Sequence, residues 1–215
     1  DNIAKKQGIE VFNTLTGFKY IAEVMRNNEG QKTFIGGGEE SYGYLAGEFV
    51  RDKDAILACG LIAEMAAYAK DTGKSLFETL ISIYQEYGFY LESLTSLKKE
   101  GKAGAEEIKS MMENFRSNPP ESLGGSKVVM VKDYQIGISK DLISGEESNI
   151  DLSRSNVLQF FTEDGSKISA RPSGTEPKIK FYFSVKTDLN SAEEFDATKE
   201  KLEARIEAIG KDLGM

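Results

Sequence analysis

Histidine and tryptophan are absent from this 215-residue chain, cysteine occurs once and proline four times. Without imidazole, the commonest general base, the usual serine and cysteine triads and most zinc sites drop out together. Carboxylate, lysine or metal-assisted chemistry stays open. The single thiol, Cys59, excludes an internal disulfide; it sits in the apolar run 55–69 and reads as a buried structural thiol of a cytoplasmic protein. No run approaches the about 18 apolar residues a membrane helix needs, and the opening Asp1-Asn2-Ile3-Ala4-Lys5-Lys6 has no signal-peptide character. Positive charge is also scarce, with 27 Lys and Arg against 35 Asp and Glu for a formal charge of −8. That balance argues against a general affinity for nucleic acid or anionic membrane, so any anion site must be local.

An apolar fraction of 40% is enough for real cores. The segment Arg171-Pro172-Ser173-Gly174-Thr175-Glu176-Pro177 packs the parts of a phosphate cradle into one turn. Arginine offers a planar fork for two phosphate oxygens, Ser173 and Thr175 add hydroxyl donors, and Gly174 lets backbone N–H groups approach an anion. The same letters suit a plain surface turn. Directly after it, residues 178–186 alternate strictly, with Ile179, Phe181, Phe183 and Val185 on one face. This is a half-buried strand whose solvent face carries Lys178 and Lys180, a locally positive setting for Arg171.

The Pro119-Pro120 and Gly124-Gly125 cluster places a domain boundary between residues 1–118 and 119–215. Before it the pattern reads strand 9–15, helix 17–26, strand 33–35, helix 55–69 and helix 76–97, an α/β order. The helix 55–69 is apolar nearly all round, so it is expected to pack on several sides, with Gly73 as its C-terminal cap. Ser75 and Glu78 have capping-box spacing, and 105–115 reads as an amphipathic helix. After the boundary, strands at 127–131, 156–162, 167–170 and 178–186 and a helix 192–209, with Ser191 and Glu194 as a further capping box, predict an α+β domain with an antiparallel sheet. Asp164-Gly165 marks a hairpin turn between two strands.

A second chemical loop, Gly36-Gly37-Gly38-Glu39-Glu40-Ser41-Tyr42-Gly43, follows the apolar 33–35, where α/β domains present ligands beyond strand ends. Carboxylates beside a hydroxyl suit sugar recognition; a glycine-rich turn with acidic residues at a helix start is the plainer account. The stretch Gly145-Glu146-Glu147-Ser148-Asn149 repeats similar letters as an exposed acidic loop. Lys19, in Thr16-Gly17-Phe18-Lys19-Tyr20, and Lys53, in Arg51-Asp52-Lys53-Asp54, can reach the same crevice; solvated lysines and an Asp54 helix cap are the plainer account.

Together, these four segments in this order resemble the α-D-phosphohexomutases, the phosphoglucomutases and phosphomannomutases, across nearly the whole chain. They correspond to third-domain and fourth-domain elements, so the first unit is a partial sugar-binding domain and the second a phosphate-binding domain. The resemblance implies that Glu39 and Ser41 read sugar hydroxyls and that Arg171, Ser173, Gly174 and Thr175, with Lys180 beside them, hold the substrate's non-reacting phosphate. Lys19 and Lys53 carry over as auxiliary groups. It further implies phosphoryl transfer between the 1 and 6 positions of a hexose through glucose 1,6-bisphosphate, with a phosphoserine donor and Mg2+ in other domains of the polypeptide. The chain has neither the histidine-containing phosphoserine segment nor the Asp-Gly-Asp-x-Asp-Arg magnesium loop. It is therefore expected to be a C-terminal piece, inert alone, whose partners are a phosphosugar and N-terminal domains of the same polypeptide. A phosphopentomutase and a non-catalytic phosphosugar-binding module are the alternatives.

Overall fold

The structure, a computed structural model, describes residues 1–39 and 42–215. It divides into two units, Asp1–Ile83 and Tyr84–Met215.

In the first unit a short helix α1 (Asn2–Lys6) precedes α2 (Phe18–Asn27), β1 (Gly36–Gly38), β2 (Tyr44–Ala46), α3 (Ala55–Asp71) and the start of α4 (Leu76–Tyr87). Gly17 opens α2 at φ 124°, a conformation that an L side chain resists. Phe18, Ile21 and Met25 then fall on one helical stripe. Phe18 and Met25 are buried with Leu45 of β2, and Ile21, Phe34 and Leu57 pack around them. Each such side chain contributes roughly 1.5–3 kcal/mol. β1 and β2 pair antiparallel, Gly36 opposite Ala46 and Gly38 opposite Tyr44.

Asp54 caps α3 by accepting the Leu57 N–H at 2.8 Å, and Gly73 follows its end at φ +73°. The Ser75–Glu78 capping box is formed in both directions, at 2.7 and 3.1 Å. Other expectations fail here. Residues 9–15 and 33–35 form no strand; the extended pairing falls on 36–38 and 44–46, where a hairpin supplies partners. In α3 only Ala69 is buried and Cys59 is exposed. The helix is apolar all round, but its described neighbours cover one stripe, through Leu57.

The second unit contains β3 (Phe89–Lys98), α5 (Gly101–Ser117), β4 (Ser122–Leu123), β5 (Ser126–Asp133), β6 (Ile138–Asp141), β7 (Glu147–Asn149), β8 (Leu158–Thr162), β9 (Lys167–Pro172), β10 (Lys178–Thr187) and α6 (Phe195–Asp212). Its antiparallel sheet runs β3-β10-β9-β8-β5-β6-β7, with β4 paired to β5. Ile179, Phe181, Phe183 and Val185 of β10 are buried, as the alternation predicts, with Phe160, Ile168, Leu202 and Ile209. Phe115 of α5 meets Phe160 and Phe181 edge-on, with ring centroids 5.9 and 6.4 Å apart.

The division between units thus lies near residue 83, not at Pro119-Pro120. β3 pairs with β10 along its whole length, and Met112 and Phe115 of α5 are buried, so residues 84–118 belong to the second unit. The expected helix 76–97 stops at Tyr87 because Gly88 turns the chain at φ +99°, and the remainder is strand. Ser191 makes no side-chain cap; a short 3-10 turn over Ala192–Glu194 leads into α6 instead. The acidic stretch after Gly145 is not a bare loop but edge strand β7, paired with β6. Among the described residues no helix is long and apolar enough to cross a membrane. The expected class holds, an α/β unit followed by an α+β domain with an antiparallel sheet and covering helices.

Candidate functional site

Two sets of residues gather, one in each unit. In the second unit, Arg171 lies near the end of β9, directly opposite Lys180 of β10. Direct cross-strand partners share a face, so both side chains stand on the polar side of a sheet whose other side is the core. Beyond Pro172 the chain turns. Ser173 N–H donates to the Lys178 carbonyl at 2.8 Å, and Lys178 N–H returns to the Glu176 carbonyl at 2.7 Å. Within the turn, the N–H groups of Thr175 and Glu176 both donate to Ser173 Oγ, at 3.3 and 3.2 Å. That oxygen accepts from the loop, which leaves its own proton to donate either to Thr175 Oγ1 or to a group outside the turn. Thr175 Oγ1 lies 3.5 Å from Ser173 Oγ.

Gly174 has no left-handed φ, and a Cβ built there meets nothing within 4 Å. Open space therefore lies above the loop at this position, and no backbone strain requires glycine there. Glu176, the one carboxylate of the turn, pairs with Lys178. The hydrogen bond and charge of Lys178 hold the Glu176 carboxyl below the usual glutamate range. Arg171 and Lys180 have no such carboxylate among the described residues, so the loop keeps a positive excess. The sequence pointed to Arg171, Ser173, Gly174, Thr175 and Lys180, and the fold brings them to one strand-turn-strand corner. It did not single out Glu176, although an acid two residues before Lys178 is the signal for it.

In the first unit, Glu39 follows β1, its N–H donating to the Gly43 carbonyl at 2.9 Å. Lys53 Nζ lies 3.9 Å from Glu39 Oε2 and 3.1 Å from Asp52 Oδ1. The Lys53 backbone N–H and then its ammonium hold the Asp52 carboxyl below the usual aspartate range. The same ammonium stands 5.7 Å from the centroid of the buried Phe18 ring, a cation–π arrangement that fixes its height over the core. Lys53 is thus brought to Glu39. Lys19, one residue after Phe18, instead stands over the Tyr20 ring at 4.8 Å. Ser41 lies outside the described residues.

Gly43 was not singled out by the sequence, yet it decides this arrangement. A Cβ there would come within 2.6 Å of Lys53 Cδ and 3.3 Å of Glu39 Oε2. Behind β1, a cavity of about 830 Å³ opens against α2 and the segment 8–17, and Glu39 is among the residues that line it. Ile21, Val24, Met25 and Phe34 give it an apolar wall, and Glu39 is among its charged lining residues.

No three His, Cys, Asp or Glu side chains converge as a metal site among the described residues. The described residues do not fit a magnesium ion.

Residues 1–87 match the family model described as phosphoglucomutase/phosphomannomutase, alpha/beta/alpha domain III, and residues 99–202 match the one described as the C-terminal domain. A phosphoglucomutase of Staphylococcus aureus (strain MRSA252) is 40% identical over 205 residues, covering 95% of this chain and 36% of its own length. One from Staphylococcus epidermidis (strain RP62A) is 39% identical over the same span and shares. The chain therefore spans little more than a third of the length of these relatives. The open form of the exocytosis-sensitive phosphoprotein pp63/parafusin, a phosphoglucomutase from Paramecium, shares the fold with a TM-score of 0.61 at 21% identity, over 100% of this chain and 36% of that one. The chain belongs to the phosphoglucomutase/phosphomannomutase family, of which it carries domain III and the C-terminal domain.

Proposed function

We propose that this chain is the substrate-holding part of a cytoplasmic phosphohexomutase that interconverts hexose 1- and 6-phosphates through glucose 1,6-bisphosphate. The observation that carries the proposal is the Arg171–Lys180 pair beside the Ser173–Thr175 turn. Arg171 grips two oxygens of the non-reacting phosphate, Lys180 adds a second charge, and the Ser173 and Thr175 hydroxyls donate into the remaining lone pairs. Glu39, with Ser41, accepts from ring hydroxyls, while Lys53 and Lys19 are auxiliary donors at that end.

Phosphoryl transfer asks little covalent work of a protein and depends on placement and charge stabilisation. A phosphate anchored away from the reacting end converts binding energy into orientation. The bisphosphate must present each end to a phosphoserine in turn, so the anchor has to accept either phosphate. The phosphoserine and Mg2+ belong to the remainder of the parent polypeptide, and the chain alone turns nothing over.

NMR titration with glucose 1-phosphate and, separately, glucose 6-phosphate tests this reading. Both ligands are expected to shift the same amide signals, at Ser173 to Glu176 and Lys180, with no interconversion. Signals that stay in place with both ligands, or interconversion by this chain alone, would overturn it.

A further inference from the structure

β3 ends the sheet. β10 pairs with it over all ten residues without a register shift, and no described residue pairs with its other side. Open edges of this kind are usually kept short, or are broken by proline, a bulge or lysines that discourage a second strand. The far edge of the sheet follows that rule. β7 has three residues, and its Glu147 is held by Lys140 at 3.1 Å. β3 does not follow it. Phe89-Tyr90-Leu91-Glu92-Ser93-Leu94-Thr95-Ser96-Leu97-Lys98 has no proline, residues 92–96 are exposed on both faces, and Glu92 and Lys98 are its only charges.

We propose that β3 is the dimer edge of this chain, pairing antiparallel with β3 of a second copy about a two-fold axis at Thr95. The occupant follows from the charges. When a strand pairs antiparallel with its own copy, opposed side chains must share a face, so the axis passes through a residue. Glu92 and Lys98 both stand on the polar face, opposite Ser184 and Lys178 of β10. An axis at Thr95 places Glu92 of each copy opposite Lys98 of the other, giving two cross-strand ion pairs. It also sets Thr95 against Thr95 and Leu94 against Ser96.

Neighbouring registers lose both ion pairs. An axis at Leu94 sets Lys98 against Tyr90 and Glu92 against Ser96. One at Ser96 sets Lys98 against Leu94 and brings Glu92 against Glu100. The charge pattern therefore selects one register as well as one partner. Lys98 has reason to take such a partner. Its cross-strand neighbour within the chain is another cation, Lys178; Glu176 makes its close ion pair with Lys178 and acts on Lys98 only as the weakest of its charge interactions, so Lys98 has no close carboxylate of its own among the described residues. Glu92 uses one carboxylate oxygen to accept from Ser184 Oγ at 2.6 Å, leaving the other for the second copy. The pairing joins two sheets edge to edge with both polar faces on the same side.

Analytical ultracentrifugation of the chain, from low micromolar to high hundred-micromolar concentration, tests this. The wild type is expected to show a monomer–dimer equilibrium. Glu92→Lys alone and Lys98→Glu alone each turn two attractive pairs into two repulsive ones, and each is expected to weaken the dimer at least about tenfold. The double variant E92K/K98E restores both pairs, and with them the dimer. Circular dichroism on the same samples confirms that each variant is folded; both sites are exposed. A wild type that stays monomeric throughout would overturn the proposal. So would a dimer that ignores the single reversals, or single reversals that the double variant does not rescue.

Discussion

Arg171 of β9 and Lys180 of β10 are direct cross-strand partners on the polar face of the second unit's sheet. Like charges in that relation cost stability, on the order of 0.2–1 kcal/mol, and a phosphate between them removes the cost. Replacing Lys180 by Gln is accordingly expected to raise the thermal midpoint slightly while weakening binding of glucose 1,6-bisphosphate several-fold. Differential scanning calorimetry with a parallel titration reads both. A variant that loses stability as well as binding would mean that Lys180 holds the fold rather than the ligand.

Gly174 separates clearance from conformation. Its backbone needs no glycine, and a Cβ there meets nothing, so Gly174→Ala is expected to leave stability within about 0.5 kcal/mol of wild type. On the proposed reading a phosphate approaches the backbone at this point, so the added methyl group is expected to lower affinity for glucose 1,6-bisphosphate. Unchanged affinity in a titration would remove Gly174 from the cradle.

At Gly43 the expected result differs. Gly43→Ala puts a Cβ 2.6 Å from Lys53 Cδ, so the lysine must move off Glu39. NMR is expected to show the Lys53 and Glu39 side-chain signals shifting together. The core signals of Phe18, Met25 and Leu45 stay near their wild-type positions.

Asp164, in the hairpin turn between β8 and β9, is expected to make the second unit sensitive to acid. Burial pushes its carboxyl up, but hydrogen bonds from Thr162 Oγ1 (2.6 Å), Ser166 N–H (3.0 Å) and Ser166 Oγ (2.8 Å), with Arg205 at 3.0 Å, outweigh burial and hold it below the ordinary value of 3.8. A folded-state pKa below the unfolded one contributes stability that is fully present above 3.8 and is lost as the pH falls through the lower folded value. Asp164→Asn is expected to cost about 1.5–3 kcal/mol at neutral pH and to flatten the loss of melting temperature below that point. Equal acid slopes in variant and wild type would contradict this.

The strand-turn-strand corner of Arg171 and Lys180 was legible because its signals are local and agree with each other. The alternation of 178–186 sends Ile179, Phe181, Phe183 and Val185 into the core, which fixes the faces of Lys178 and Lys180. Asp164-Gly165 makes its turn for a local reason too, with Gly165 at φ +81°. What was not legible depends on distant partners. The Pro119-Pro120 signal marks only a turn after α5. The division between the units is set by pairing of β3 with β10, from Lys98 with Lys178 to Phe89 with Thr187, far along the chain; Gly88 inside an apparent helix was the local warning. Likewise the all-round apolar pattern of α3 predicted a buried Cys59, while burial reaches only Ala69. The clearance at Gly43 depends on how Lys53 crosses it, which spacing does not reveal.

Calorimetric titration of this chain with glucose 1,6-bisphosphate, beside Arg171→Ala, tests the central claim most directly. Removing a bidentate charged contact worth roughly 1.5–3 kcal/mol predicts saturable binding by the wild type that weakens at least about tenfold in the variant, with both proteins folded. A folded wild type that takes up no bisphosphate at millimolar concentrations, or a variant that binds as well as the wild type, would contradict the account.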